Sequence, residues 1–140
     1  MVAAAKHPAE NATRDYIDST EFWRGISRSA LMLQYCPVAK AFQHYPRPVS
    51  IYTGRRTLEW REASSTGTVY TITEGMIGSA AAGSEQRDVV IALVELDVGV
   101  RLLATVDVPA SREVQIGDRG RVVFFEHPEG YIYYRFRIDA

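Results

Sequence analysis

The sequence predicts a mainly β protein: a short N-terminal helix, a small ribbon-like unit, and a closed barrel of five strands. Two observations carry most of that expectation. Residues 63–140 hold five stretches in which apolar and polar residues alternate or β-branched residues cluster, with turn residues between them and no long helical pattern. Residues 18–29 are the one stretch where apolar residues recur at helical spacing. Five strands in so short a segment is the size of a small barrel, and closure would remove the edges an open sheet would present.

The elements follow in chain order. Residues 1–17 contain Pro8, Asn11 and Thr13 and no sustained apolar period, which predicts a flexible arm. At Asp18-Ser19-Thr20-Glu21, Asp18 can cap a helix and Glu21 can return a hydrogen bond three places on. Phe22, Trp23 and Ile26 then share one helical face, giving a helix to about Ser29. Gly25 weakens this helix in isolation, so it should form only when its apolar face is buried. Trp23 and Phe22 have two readings here, core packing against the next module or anchoring of a partner.

From Leu31 the period becomes two. Leu31, Leu33 and Tyr35 alternate with Met32, Gln34 and Cys36, a strand that Pro37 ends, and residues 41–45 read as its return. Pro46 and Pro48 enforce an extended segment without N–H donors. Residues 18–62 thus form a helix plus a small ribbon with few aliphatic residues, the kind of unit that needs a metal or a partner to hold it. The barrel then occupies residues 63–140. Its strands are expected at 68–73, 88–96, 100–106, 121–126 and 131–138, with residues 74–86 as a mobile glycine-containing loop. Asp97-Val98-Gly99 and His127-Pro128-Glu129-Gly130 are tight turns.

Composition limits the function. With 140 residues the chain is too short for an eight-unit α/β-barrel enzyme or a dinucleotide-binding enzyme with its own substrate domain. One Cys excludes an internal disulfide framework and fits a reducing, cytoplasmic setting. The longest apolar run, Val89 to Val94, is far below the roughly 20 residues that span a bilayer, and the first residues show no secretory pattern, so no membrane partner is expected. Residues 1–62 carry nine Lys/Arg against six Asp/Glu, and residues 63–140 seven against eleven. A basic front and an acidic back suggest different partners for the two regions, but the positive side is dilute for nucleic acid.

Catalytic chemistry is not apparent. The serines of Gly78-Ser79 and Gly83-Ser84 have no neighbouring His, and His7, His44 and His127 are scattered. Neither a dinucleotide nor a phosphate-loop motif is present, and no carboxylate pair suggests general acid–base work. A binding role is favoured over an enzyme.

A set of short motifs in order adds to this. Phe22-Trp23, the run Leu31 to Cys36, Pro46-Arg47 and Leu58-Glu59-Trp60 precede Gly67 to Tyr70, the hairpin Ala92 to Leu103, Ile116-Gly117 and Phe136-Arg137. Over about residues 20–138 the chain resembles the family of acyl-CoA-associated proteins that join a rubredoxin-like zinc ribbon to an OB-fold, a domain-of-unknown-function family. The resemblance implies a non-catalytic accessory subunit that docks on a thiolase-like or other acyl-CoA-using enzyme and helps bind or position acyl-CoA.

The chain departs from that family's two Cys-x-x-Cys pairs. The first reads Cys36-Pro37-Val38-Ala39 and the second, after Pro46-Arg47, Ser50-Ile51-Tyr52-Thr53. Neutral hydroxyls do not replace thiolates as structural zinc ligands. No zinc or other cofactor is therefore expected, and the degenerate zinc ribbon should be metal-free, held by Tyr35, Phe42, Tyr45 and Tyr52, with Cys36 as a small buried residue. The expected partner anchors are Trp23, Tyr35, Tyr45 and Tyr52. Acyl-CoA would meet Arg47, Arg55, Arg56 and Trp60, which pair charge with a stacking surface, and Met76 and Ile77 in the glycine-hinged loop. The rival readings are a single-stranded nucleic-acid binder using Tyr131, Tyr133 and Tyr134 with Arg135 and Arg137, and a homo-oligomer whose ribbons pair with each other.

Overall fold

The computed structural model describes residues 19–77 and 87–140. The expected arm 1–17, the capping role of Asp18, and residues 78–86 of the expected loop lie outside the described residues. Helix α1 spans Ser19–Ser27, ending two residues before the expected Ser29, and buries Phe22 and Ile26 of the expected face together with Gly25, while Trp23 is half-buried. Gly25 is there for contact as well as for want of a side chain: a Cβ at this position would lie 2.9 Å from the Ala30 carbonyl and closer still to the Met32 side chain. That close approach offsets its low helix propensity.

The front sheet has the order β2-β1-β3, with β1 Met32–Cys36, β2 Ala41–Gln43 and β3 Glu59–Glu62, all antiparallel. Strand β3 is not expected from the sequence. It pairs with β1 through Gln34↔Trp60 and Tyr35↔Glu59, which makes the ribbon three-stranded.

The back of the chain closes into a barrel of order β4-β5-β6-β8-β7, with β4 Thr66–Ile77, β5 Arg87–Leu96, β6 Arg101–Asp107, β7 Arg119–Glu126 and β8 Ile132–Ile138. Closure comes from two pairings: β4 with β7 antiparallel through Gly67↔Gly120, and β6 with β8 parallel through Val106↔Phe136. Alternation sets what faces inward. On β6, Leu102, Ala104 and Val106 are buried, and they join Val69, Ala92, Val94, Leu96, Val122, Phe136 and Ile138. The expectation of a loop from Glu74 onward is corrected: Glu74–Ile77 continue β4, paired with Arg87–Val90 of β5. Backbone pairing there does not need burial: Gly75 and the side chains of Glu74 and Met76 are exposed.

Ribbon and barrel share one core. Phe22, Ile26, Leu31 and Leu33 belong to the same buried cluster as the barrel interior. Phe22 meets Tyr134 of β8 edge-on at 6.0 Å, and Trp23 lies 6.2 Å from the same ring. The Tyr134 hydroxyl donates to the Leu103 carbonyl, and burial raises its pKa well above the ordinary phenol value. No helix among the described residues is long and apolar enough to cross a membrane.

Candidate functional site

The ribbon's free end is built by two short turns, 36–39 and 50–53. Cys36 is fully enclosed at the end of β1. Its sulfur is hydrogen-bonded to the Ser50 hydroxyl, stands 3.3 Å from Thr57 Oγ1, and accepts from the backbone amides of Ala39 and Val38. Ser50 first and Thr57 second hold the thiol down to about 7, against desolvation that pushes it up. Ser50 Oγ accepts from the amides of Tyr52 (3.1 Å) and Thr53 (3.3 Å), and Thr53 Oγ1 lies 3.0 Å from Thr57 Oγ1. The two turns therefore close on one point, Cys36 with Ser50.

Four positions at that point correspond to the expected ligand pairs: Cys36, Ala39, Ser50 and Thr53. They offer one thiol, one methyl group and two hydroxyls already bonded within the turns. Tetrahedral zinc takes four nitrogen, sulfur or carboxylate donors, so this donor set does not fit it. No group of three His, Cys, Asp or Glu able to hold a metal occurs among the described residues.

Aromatic rings account for less of the ribbon than expected. Tyr35 and Phe42 do meet edge-on at 4.9 Å, and the Tyr52 hydroxyl donates to the Phe42 carbonyl. The enclosed interior, however, includes Gln34, Gln43 and Ser50, all almost completely buried. Gln34 donates to the Arg47 carbonyl and accepts from the Arg47 amide, both at 2.8 Å. Gln43 donates to Gln34 Oε1 and the Val49 carbonyl and accepts from the Ile51 amide. Pro46 and Pro48 prevent this segment from pairing as a strand, and the two side-chain amides supply the missing partners. Gln34 and Gln43 were missed because an alternating strand pattern assigns polar residues to the solvent side; their being opposite each other across β1 and β2 is the signal that could have found them.

The predicted anchors divide. Tyr45 and Tyr52 are exposed, whereas Trp23 and Tyr35 are half-buried within the molecule. Trp23 stacks among Phe22 and Tyr134, and Tyr35 carries the Arg61 guanidinium 3.9 Å from its ring. Arg61 also forms an ion pair with Glu59. Exposed Val38 and Ile51, at the tips of the two turns, were not singled out by the sequence.

Among the acyl-CoA candidates, Arg47, Arg55 and Arg56 are exposed on the ribbon and Trp60 is half-buried on β3. Met76 lies on the β4–β5 hairpin, in an open groove of about 530 Å³ lined by Glu74, Gly75, Met76, Asp88, Val89 and Val90. The groove contains none of the four ribbon residues, and its two carboxylates disfavour a phosphate. The side chain of Ile77 lies outside the described residues. The tyrosine platform splits as strand alternation requires. Tyr133 stacks on Phe125 at 5.6 Å and Tyr131 on His127 at 4.4 Å, while Tyr134 turns to α1.

Comparison with known proteins supports this architecture. Residues 60–125 match the family model described as the C-terminal OB-fold domain of ChsH2. The barrel is an OB-fold. Among solved structures, the chain is similar to one described as "Ltp2-ChsH2(DUF35) aldolase", at 27% identity and a TM-score of 0.74, covering 89% of this chain and 97% of that one. It also shares its fold with a DUF35-family protein of unknown function from Sulfolobus solfataricus, at 18% identity and a TM-score of 0.62, covering 93% and 92% of the two chains. No curated protein matches.

Proposed function

We propose that this chain is a DUF35-type, non-catalytic accessory subunit that docks on a thiolase-like or other acyl-CoA-using enzyme and helps bind or position acyl-CoA. The observation that carries the reading is the similarity to the Ltp2-ChsH2(DUF35) aldolase chain, which covers 89% of this chain and 97% of that one. Among the described residues, Cys36 is enclosed by hydroxyls and amides, His44 Nε2 has no hydrogen-bond partner, and His127 sits on a turn beside Glu129. None of these places a nucleophile against a base. The same reading takes the ribbon as metal-free in the cytoplasm, with the Gln34–Gln43 amides and the Cys36–Ser50–Thr57 contacts in place of an ion.

The test is reconstitution. The chain is co-expressed with a thiolase-like or aldolase subunit, and acyl-CoA binding is measured for the pair and for each protein alone. A stoichiometric complex that binds acyl-CoA more tightly than either component supports the function. Failure to associate with such enzymes, or turnover of an acyl-CoA by this chain alone, overturns it. Stoichiometric tightly held zinc in the purified chain overturns the metal-free ribbon.

A further inference from the structure

Between Phe22 and Leu58 the chain has six cations, Arg24, Arg28, Lys40, Arg47, Arg55 and Arg56, and no Asp or Glu. Lys40, Arg47, Arg55 and Arg56 lie within a few residues of the two ribbon turns in sequence and are exposed, and none makes an ion pair among the described residues. The barrel treats its arginines differently. Arg101, Arg112, Arg119, Arg121 and Arg137 each face a carboxylate. Among the described residues, these five barrel arginines thus have a carboxylate partner and the four ribbon cations do not, although Arg24 and Arg61 at the front pair with Glu21 and Glu59.

Close to those cations in sequence, the same two turns carry two exposed aliphatic side chains. Val38 is 69% exposed and Ile51 58%, each at the tip of a turn, and the turns are tied together through Cys36 and Ser50. Tyr52 continues the apolar surface from Ile51 and is fixed by its hydrogen bond to Phe42.

We propose that Val38 and Ile51 are paired anchors for a protein surface with an apolar socket rimmed by Asp and Glu, with Lys40, Arg47, Arg55 and Arg56 meeting the rim. This deepens the accessory-subunit reading and rests on it: the socket belongs to the partner enzyme. Aliphatic tips neither stack on bases nor hold phosphates, so they select a protein pocket over a nucleic acid or a nucleotide. A second copy of the same face would bring like charges together, which opposes self-association there. The cations raise the association rate and set orientation, while the two tips hold the complex once water is excluded.

The experiment uses the full chain and the enzyme subunit recovered in the reconstitution above. Three variants are compared with the unaltered chain by titration at low and high salt: Val38→Asp with Ile51→Asp, Arg55→Glu with Arg56→Glu, and Ile116→Asp, an equally exposed residue on the barrel. The anchor variant should bind at least 100-fold more weakly. Charge reversal should weaken binding at least 10-fold at low salt and flatten its salt dependence, and Ile116→Asp should bind unchanged. Thermal melting of each free variant checks folding, and a photoreactive phenylalanine analogue at position 51, which should cross-link to the enzyme, gives a second readout. Unaltered binding by the anchor variant overturns this surface and leaves the accessory reading standing. A chain that associates with no acyl-CoA enzyme overturns both. A self-dimer dissolved by the anchor variant, or oligonucleotide binding lost on charge reversal alone, overturns the assignment of the occupant.

Discussion

His44 is a residue whose chemistry the fold suppresses. Its ring lies 5.2 Å from Phe22 and 4.2 Å from Tyr45, and Nε2 finds no hydrogen-bond partner among the described residues. Burial lowers its pKa to about 4. The unfolded chain takes up a proton near pH 6.5 and the folded one does not, so stability is complete above that pH and drains away as pH falls towards 4. Over that window the loss amounts to about 3 kcal/mol. Urea unfolding between pH 7.5 and 4.5 should show the unaltered chain losing more stability than His44→Phe, which keeps a ring against Phe22 and removes the titration. Parallel losses in the two proteins would mean that His44 takes no part. The lowered Asp97 and Asp118 carboxyls act in the same direction at lower pH, the first through its Arg119 hydrogen bond and the second through the Gln115 amide. Both persist in the variant, which is why the comparison isolates His44.

At the scale of elements, one position of β7 has no room for a side chain against its neighbour β8. Gly120 of β7 faces Gly67 of β4 on one side and Ile138 of β8 on the other. A Cβ there would meet the Phe136 ring at 2.7 Å and the Arg137 carbonyl closer still, so neither the backbone nor the enclosed ring can yield cheaply. Gly120→Ala should cost about 2 kcal/mol, as overpacking of a core does. Gly75→Ala, where a Cβ meets nothing within 4 Å, should leave the melting temperature within a degree or raise it slightly. Equal melting curves for the two variants would show that the β7–β8 packing at Gly120 is not tight. The barrel strands were legible in the sequence because a closed sheet imposes an inside and an outside, as the alternating burial of β6 records. β3 was not legible: Glu59, Arg61 and Glu62 are exposed and only Trp60 is partly covered, so this edge strand leaves no alternation to read. The end of β4 was hidden for the same reason, with Gly75 adding a loop signal. At the candidate site, exposed Tyr45 and Tyr52 were legible as aromatics in a ribbon short of aliphatics. Val38 and Ile51 were not, since single apolar residues are common on surfaces and only the convergence of the two turns gives them a shared position.

For the whole molecule, the question is whether ribbon and barrel behave as one cooperative unit. The buried cluster runs from Phe22, Ile26, Leu31 and Leu33 into the barrel, so loss of either half exposes apolar surface of the other. Phe22 occupies the joint: its ring contacts Trp23 on its own helix, His44 after β2, and Tyr134 on β8. The unaltered chain should therefore unfold in one calorimetric transition, with the calorimetric and van't Hoff enthalpies equal. Phe22→Ala should cost about 3–5 kcal/mol, the range for emptying a buried aromatic site, and the loss falls on the joint rather than on the interior of either half. The ribbon would then open first, because Gln34, Gln43 and Cys36 hold it through hydrogen bonds that do not depend on the barrel but bury little apolar surface. Hydrogen exchange should show this as faster exchange at the Arg47 and Ile51 amides, with the β5–β6 ladder still protected. If both regions accelerate equally in the variant, the joint does not separate two units and the molecule is a single cooperative body throughout. If the unaltered chain already melts in two steps, the shared core does not couple them.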